Sequence, residues 1–242
     1  MGGRPELRAA IVAAAGASLR DAGGAAALLL APAALLGRWP WPPALAFVAG
    51  LSALELIGNL ALAIWRPAHF AVRQQGVVAA KQKKQPRADA IGAAVLLCFA
   101  VAWFAFIPLD ALRLHILPAP APWIAWCGAI AAALGIALTK LAVWENRFAT
   151  PNVQDQTADG QRVIDTGVYA VIRHPIYLGY ALLIGGGALW LGSTAAALIG
   201  VGCYLAATFA RIVIEERDLN ARLPAYAAYA RRVRGRLIPF LL

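Results

Sequence analysis

An all-α, polytopic membrane bundle is the fold class this sequence predicts, and three observations predict it. Of 242 residues, 61% are hydrophobic and only 14% charged, where a soluble domain carries about a quarter charged residues. The apolar residues are gathered into blocks long enough to cross a hydrocarbon layer of about 30 Å. No ten-residue alternation of the barrel type is present, and lipid offers an open strand edge no hydrogen-bond partner. About six spans are expected, near 10–36, 43–65, 89–108, 122–144, 176–192 and 194–214, followed by a C-terminal amphipathic helix lying in the interface.

The first block needs separate justification. Met1 to Arg8 ahead of an apolar run has the outline of a signal peptide, but Arg20 and Asp21 interrupt the run and a second apolar block follows at once. One transmembrane helix, kinked near Gly23-Gly24 and Pro32, is the expected form; an interfacial helix followed by a span is the alternative. In the second block Glu55 and Asn59 stand one turn apart on one face. Intramembrane carboxylates suggest function by default, yet a bond between these two or to a neighbouring helix explains them more simply. Asp110 and Arg113, past the third block, are read as a local interfacial pair. Cys98, Cys127 and Cys203 are widely separated, without Cys-x-x-Cys or a histidine at ligand spacing. They predict core-filling thiols and neither a disulfide framework nor a metal site.

The basic residues orient the chain. All of the 22 Lys and Arg except Arg20, Arg38, Arg113 and Lys140 fall in 1–8, 66–90, 145–175 and 211–242. With six alternating spans these segments share one side, which the positive-inside rule makes the cytoplasm, as it does for both termini. The net charge of +10 is then met by anionic lipid against Lys81, Lys83, Lys84 and Arg87. No aromatic-interleaved basic patch suggests nucleic acid.

Polar chemistry concentrates after residue 144. The chain therefore divides into four spans over 1–144 and a cofactor-binding catalytic module over 145–242. Residues 145–175 form the longest polar connection, with Asn146, Arg147, Asn152, Gln154, Gln156, Asp165 and Tyr169, and with Phe148, Val153 and Ile164 as apolar anchors. Asp159-Gly160 marks a turn, and 163–169 an extended piece ending in a second turn at Gly167. An ordered cap over one face of the bundle is expected.

The connection runs into Arg173-His174-Pro175-Ile176-Tyr177-Leu178-Gly179. Proline suits the first turn of a helix, whose free N–H groups attract an anion. Tyr177 and Tyr180 are neighbours on one face, where their rings can flank a cationic ligand atom. Gly185-Gly186-Gly187, Gly192, Gly200 and Gly202 predict close approach of the two helices of a hairpin. That hairpin returns Glu215-Glu216 to the depth of His174. Beyond it Leu219, Leu223, Tyr226, Tyr229 and Val233 alternate with Arg222, Arg231, Arg232, Arg234 and Arg236, with Pro224 breaking or restarting the helix.

These residues resemble a known family. The run 167–179, Glu215-Glu216-Arg217-Asp218-Leu219, and Tyr226 through Pro239 are similar to the isoprenylcysteine carboxyl methyltransferase family of membrane-integral enzymes. Asn146-Arg147-Phe148 and 153–156 resemble the loop of its bacterial members. The similarity covers roughly 140–242, and before that extends only to hydropathy and a Trp39-Pro40-Trp41 turn. The Arg-His-Pro and Glu-Glu pattern also occurs in relatives that methylate phospholipid amines or small thiols, and in sterol reductases.

The resemblance implies S-adenosylmethionine as cofactor, S-adenosylhomocysteine as product, and an acceptor entering from the bilayer, with a bacterial inner membrane as the setting. It implies that His174, Pro175, Tyr177 and Leu178, with backbone from Tyr169 through Val171 and Ile172, line the adenosine side. Glu215 would take the methionyl ammonium, and Arg173 and Arg232 the cofactor carboxylate or an anionic substrate. Adjacent helical residues point about 100° apart, so one of Glu215 and Glu216 faces the cofactor, Glu215 by expectation, and the other a basic partner. Two departures stand out. Leu223-Pro224-Ala225 replaces a Phe-Gly turn, and Val168 replaces a proline. The chain lacks the strand–Gly-x-Gly–helix unit that cradles nucleotides in soluble folds.

Overall fold

In the computed structural model, residues 4–72, 87–149 and 160–239 are described. Six long helices occupy the expected blocks: α1 (Arg4–Leu35), α2 (Pro42–Trp65), α3 (Arg87–Leu109), α4 (Pro122–Glu145), α5 (Pro175–Trp190) and α6 (Thr194–Arg222). A short α7 (Tyr226–Arg232) follows, and no strand occurs among the described residues. The basic loop residues Lys81, Lys83 and Lys84, and Asn152, Val153, Gln154, Asp155, Gln156 and Asp159, lie outside the described residues.

Helix starts follow local chemistry. Prolines open α2, α4 and α5, where no N–H is needed. Ser193 caps α6, its Oγ accepting the Ala196 N–H at 2.9 Å. α1 runs unbroken across Gly23, Gly24 and Pro32. α2, residues 97–114, α4 and α6 are long and apolar enough to cross a membrane, and the apolar α5 is shorter, with 16 residues. Trp123, Trp126, Leu134 and Leu141 stand exposed along α4, as residues facing lipid would. Cys98, Cys127 and Cys203 are exposed as well; they stand on outward helix faces instead of filling the core.

The tightest contact in the bundle joins α4 and α5, not the α5–α6 hairpin. Gly128 and Gly135 face Gly186 and Gly179 so closely that a methyl group on any of the four would collide with backbone of the other helix. Backbone approach of this kind substitutes dispersion for the hydrophobic effect, which is weak between helices in lipid. Within the hairpin Gly185 meets Val201 and Gly200 meets Ile184, while Gly202 meets nothing nearby. Gly179 and Gly186 therefore fix α5 against α4, and α5 carries half of the site described below.

Polar groups in the N-terminal half close on one another. Lys140 on α4 donates to Glu55 at 2.5 Å and to the Asn59 amide oxygen at 2.9 Å. The Asn59 amide nitrogen donates to Ser18 on α1 at 3.0 Å, so one cluster ties three helices. Asp110 does not pair with Arg113. Its carboxylate accepts from the Ser193 hydroxyl at 2.5 Å and the Ile116 N–H at 2.9 Å, which staples the end of α3 to the α5–α6 turn. At 2% exposure, Asp110 is beyond reach of an interfacial partner.

Candidate active site

Two segments distant in sequence build the site. The loop entering α5 is hydrogen-bonded to the chain after α7: the Arg173 N–H donates to Gly235 O at 3.0 Å, and the His174 N–H to Arg236 O at 2.9 Å. Arg173 adds side-chain bonds from Nη1 to Ala230 O and Val233 O at 3.0 and 3.1 Å, placing a cation on the carbonyl end of α7. Tyr229 donates from its hydroxyl to Tyr169 O at 2.8 Å. Leu223, Tyr226, Tyr229 and Val233 form a buried cluster against Val163 and Leu219. The apolar face of the C-terminal helix is thus turned onto the protein's own loop, as a cap.

Beneath the cap, adjacent carboxylates diverge. Glu216 is a hub of positive charge: Arg173 Nε lies 2.8 Å from its Oε1, His174 Nε2 3.1 Å from the same oxygen, and Arg236 Nε and Nη2 each 3.1 Å from Oε2. Glu215 turns the other way. It accepts the Tyr177 hydroxyl at 3.0 Å and lies 3.9 Å from His174 Nδ1. His174, 5% exposed, bridges the two, so the hub and the cavity wall are mechanically one piece.

Glu215 faces a cavity of about 530 Å³ walled by α3, α5, α6, residues 161–169 and the cap. The cavity is asymmetric. Its polar end holds Asn146, Gln161, Tyr169, His174, Glu215 and Tyr226, and its far end is formed by Phe99, Trp103, Phe104, Leu183 and Ile184. Arg211 stands between the ends, 8% exposed, one helical turn before Glu215 and hence on the same face. In the cap, burial pushes the Tyr229 phenol up to about 12. Burial raises Tyr226 further, with the charges of Glu216 and Glu215 acting in the same direction. Both phenols are neutral at physiological pH.

Of the residues singled out from the sequence, Tyr169, Arg173, His174, Pro175, Tyr177 and Glu215 line this one cavity. Val171, Ile172, Leu178, Glu216 and Arg232 do not. Val171 is half exposed, and Ile172 is buried in the packing beneath the turn. Arg232 lies on the outer face of α7 in an ion pair with Asp165, its side chain 60% exposed. Arg211, Tyr204 and Trp103 were not singled out, although Arg211 and Glu215 show the one-turn spacing that reveals a shared face.

Two comparisons bear on this geometry. Residues 123–223, which include α5, α6 and all but the first residue of α4, match the phospholipid methyltransferase family. The fold is similar to that of the eukaryotic intramembrane Ras methyltransferase, isoprenylcysteine carboxyl methyltransferase, with a TM-score of 0.51 and 22% identity over 89% of this chain and 74% of that one. The first points to a methyltransferase and the second shows the fold. The resemblance expected from 140–242 is met by the fold of most of the chain, and the family match falls on the motif-bearing helices. No curated protein sequence matches the chain significantly.

Proposed function

We propose that this protein is an S-adenosylmethionine-dependent methyltransferase acting on the carboxylate of a lipophilic acceptor drawn from the bilayer. The observation that carries the reading is the single cavity that joins a polar, acid-containing end to an aromatic and aliphatic one. The polar end fits the cofactor. Glu215 suits an ammonium group, the rings of Tyr169 and Tyr226 suit a heterocycle or a sulfonium face, and the start of α5 offers free N–H groups to a carboxylate. When bound, S-adenosylmethionine supplies an activated methyl group whose transfer to an ionised carboxylate gives an ester and S-adenosylhomocysteine with no proton to move.

The protein's task is accordingly placement and exclusion of water. Glu215 and His174 anchor one reactant, the cap of α7 shields it, and Arg211 draws an anionic headgroup toward the same point. A buried guanidinium at the junction supports an anionic headgroup, whose charge it offsets in a low-dielectric site. The family match over 123–223 supports a second reading, methylation of a phospholipid amine. Incubating the purified chain with deuteromethyl-labelled cofactor and total membrane lipid, then reading label by mass spectrometry, separates the two. Label in a base-labile ester supports the first reading, label in an amine headgroup replaces it with the second, and no labelled lipid counts against both.

A further inference from the structure

The far end of the cavity has a floor. Trp103 lines the cavity yet is itself 5% exposed, and it is held from several sides. Its Nε1 donates to Ala196 O on α6 at 3.2 Å. Its indole edge lies against Gly200 so closely that a β-carbon there would overlap it. Phe104 stacks edge-on at a centroid distance of 4.9 Å. The same missing β-carbon on Gly200 would meet Ile184 Cγ2 at 3.0 Å, so α3, α5 and α6 converge at this level. A rigid aromatic side chain with an anchored N–H is a wall that does not change rotamer to admit more ligand.

We propose that Trp103, backed by Ile184 and seated on Gly200, is the stop that sets the length of the lipophilic chain this protein accepts. The inference rests on the lipophilic-acceptor reading above and adds a size to it. Arg211 marks the headgroup level and the Trp103 indole, seated on Gly200, the floor. The eleven helical rises of α6 from Gly200 to Arg211 span about 16 Å, which less the thickness of the indole is the extended length of a chain on the order of ten to twelve carbons. A longer chain folds back or meets the indole. A shorter one leaves apolar wall uncovered. Single methylenes in such a pocket discriminate by roughly 10-fold or more.

The test needs no turnover. Binding of straight-chain alkanoates of six to eighteen carbons to the full chain in detergent is measured by native mass spectrometry, with S-adenosylhomocysteine binding recorded on the same samples. The wild type is expected to peak near ten to twelve carbons. Trp103→Ala shifts the optimum by three or more carbons and strengthens sixteen-carbon binding about tenfold or more. Trp103→Phe, which loses the anchoring N–H and one ring, shifts the optimum in the same direction but by less than Trp103→Ala. Ile184→Ala, a milder deletion at the same level, shifts it by one or two carbons and decides the matter if Trp103→Ala fails to fold. A flat profile in the wild type, or one unchanged in the variants that fold, with S-adenosylhomocysteine still bound, overturns the stop and leaves the methyltransferase reading standing. Loss of nucleotide binding in the wild type would instead overturn that reading.

Discussion

Two clusters of polar residues lie within the helical bundle, and they are built on opposite plans. Around Glu55 every group looks inward: Lys140, Asn59 and Ser18 satisfy one another, and none of these residues lines the large cavity. Around Glu216 a comparable hub of Arg173, His174 and Arg236 exists, but its neighbour Glu215 is aimed at open volume. A carboxylate in a membrane helix is therefore not informative by itself. What distinguishes a staple from a site is an adjacent acid left facing space, held in place by the cluster behind it.

Substitutions can break or sharpen that contrast. The largest effect is expected for Glu216→Ala, which leaves three cationic or imidazole groups around an empty centre and costs about 3 kcal/mol or more. Thermal unfolding should show it, together with loss of the cap. Glu215→Ala should cost about 1–2 kcal/mol for the Tyr177 hydroxyl it leaves unpaired, less than Glu216→Ala, while weakening nucleotide binding about 100-fold, the worth of a charge-assisted contact. Arg211→Met should raise the KM for an anionic acceptor about tenfold and leave nucleotide affinity alone. In the staple, Glu55→Gln should cost about 1–2 kcal/mol of stability with activity per folded molecule intact, and the Glu55→Met, Lys140→Met pair should recover part of that loss.

The smallest effect concerns pH. The Tyr229 phenol has a folded value of about 12 against roughly 10 in an unfolded chain. Because the folded value is the higher one, the contribution is complete below about pH 10 and is lost as pH rises toward 12. Tm measured from pH 8 to 11 should be flat and then decline above 10 in the wild type, with a smaller decline in Tyr229→Phe.

Much of this was legible in the order of the residues. Helix placement followed hydropathy, and the start of α5 followed Pro175. His174, Tyr177 and Glu215 were legible because a cation, an imidazole, a phenol and an acid are costly at the ends of apolar helices without something to bind. Arg211 was hidden by the same logic: one arginine in the last apolar turn reads as a snorkelling side chain, and only the fold reveals that it is buried against a cavity. Trp103 reads as one more apolar residue until the fold places its indole in the wall of that cavity. The glycine run at 185–187 suggested a hairpin contact, which Gly185 makes against Val201, whereas Gly186 faces Gly128 of α4, nearly sixty residues upstream, and Gly187 faces Phe47 of α2. Arg232 belongs to a basic run in which sequence cannot separate the inner face from the outer one, and Asp165 captures it outside.

The most direct measurement is calorimetric titration of S-adenosylhomocysteine into three purified forms: the wild type, Glu215→Ala and Glu55→Gln. The account predicts binding to the wild type, affinity unchanged in Glu55→Gln, and affinity about 100-fold weaker in Glu215→Ala. No heat with the wild type, or equal affinity in both carboxylate variants, would contradict it.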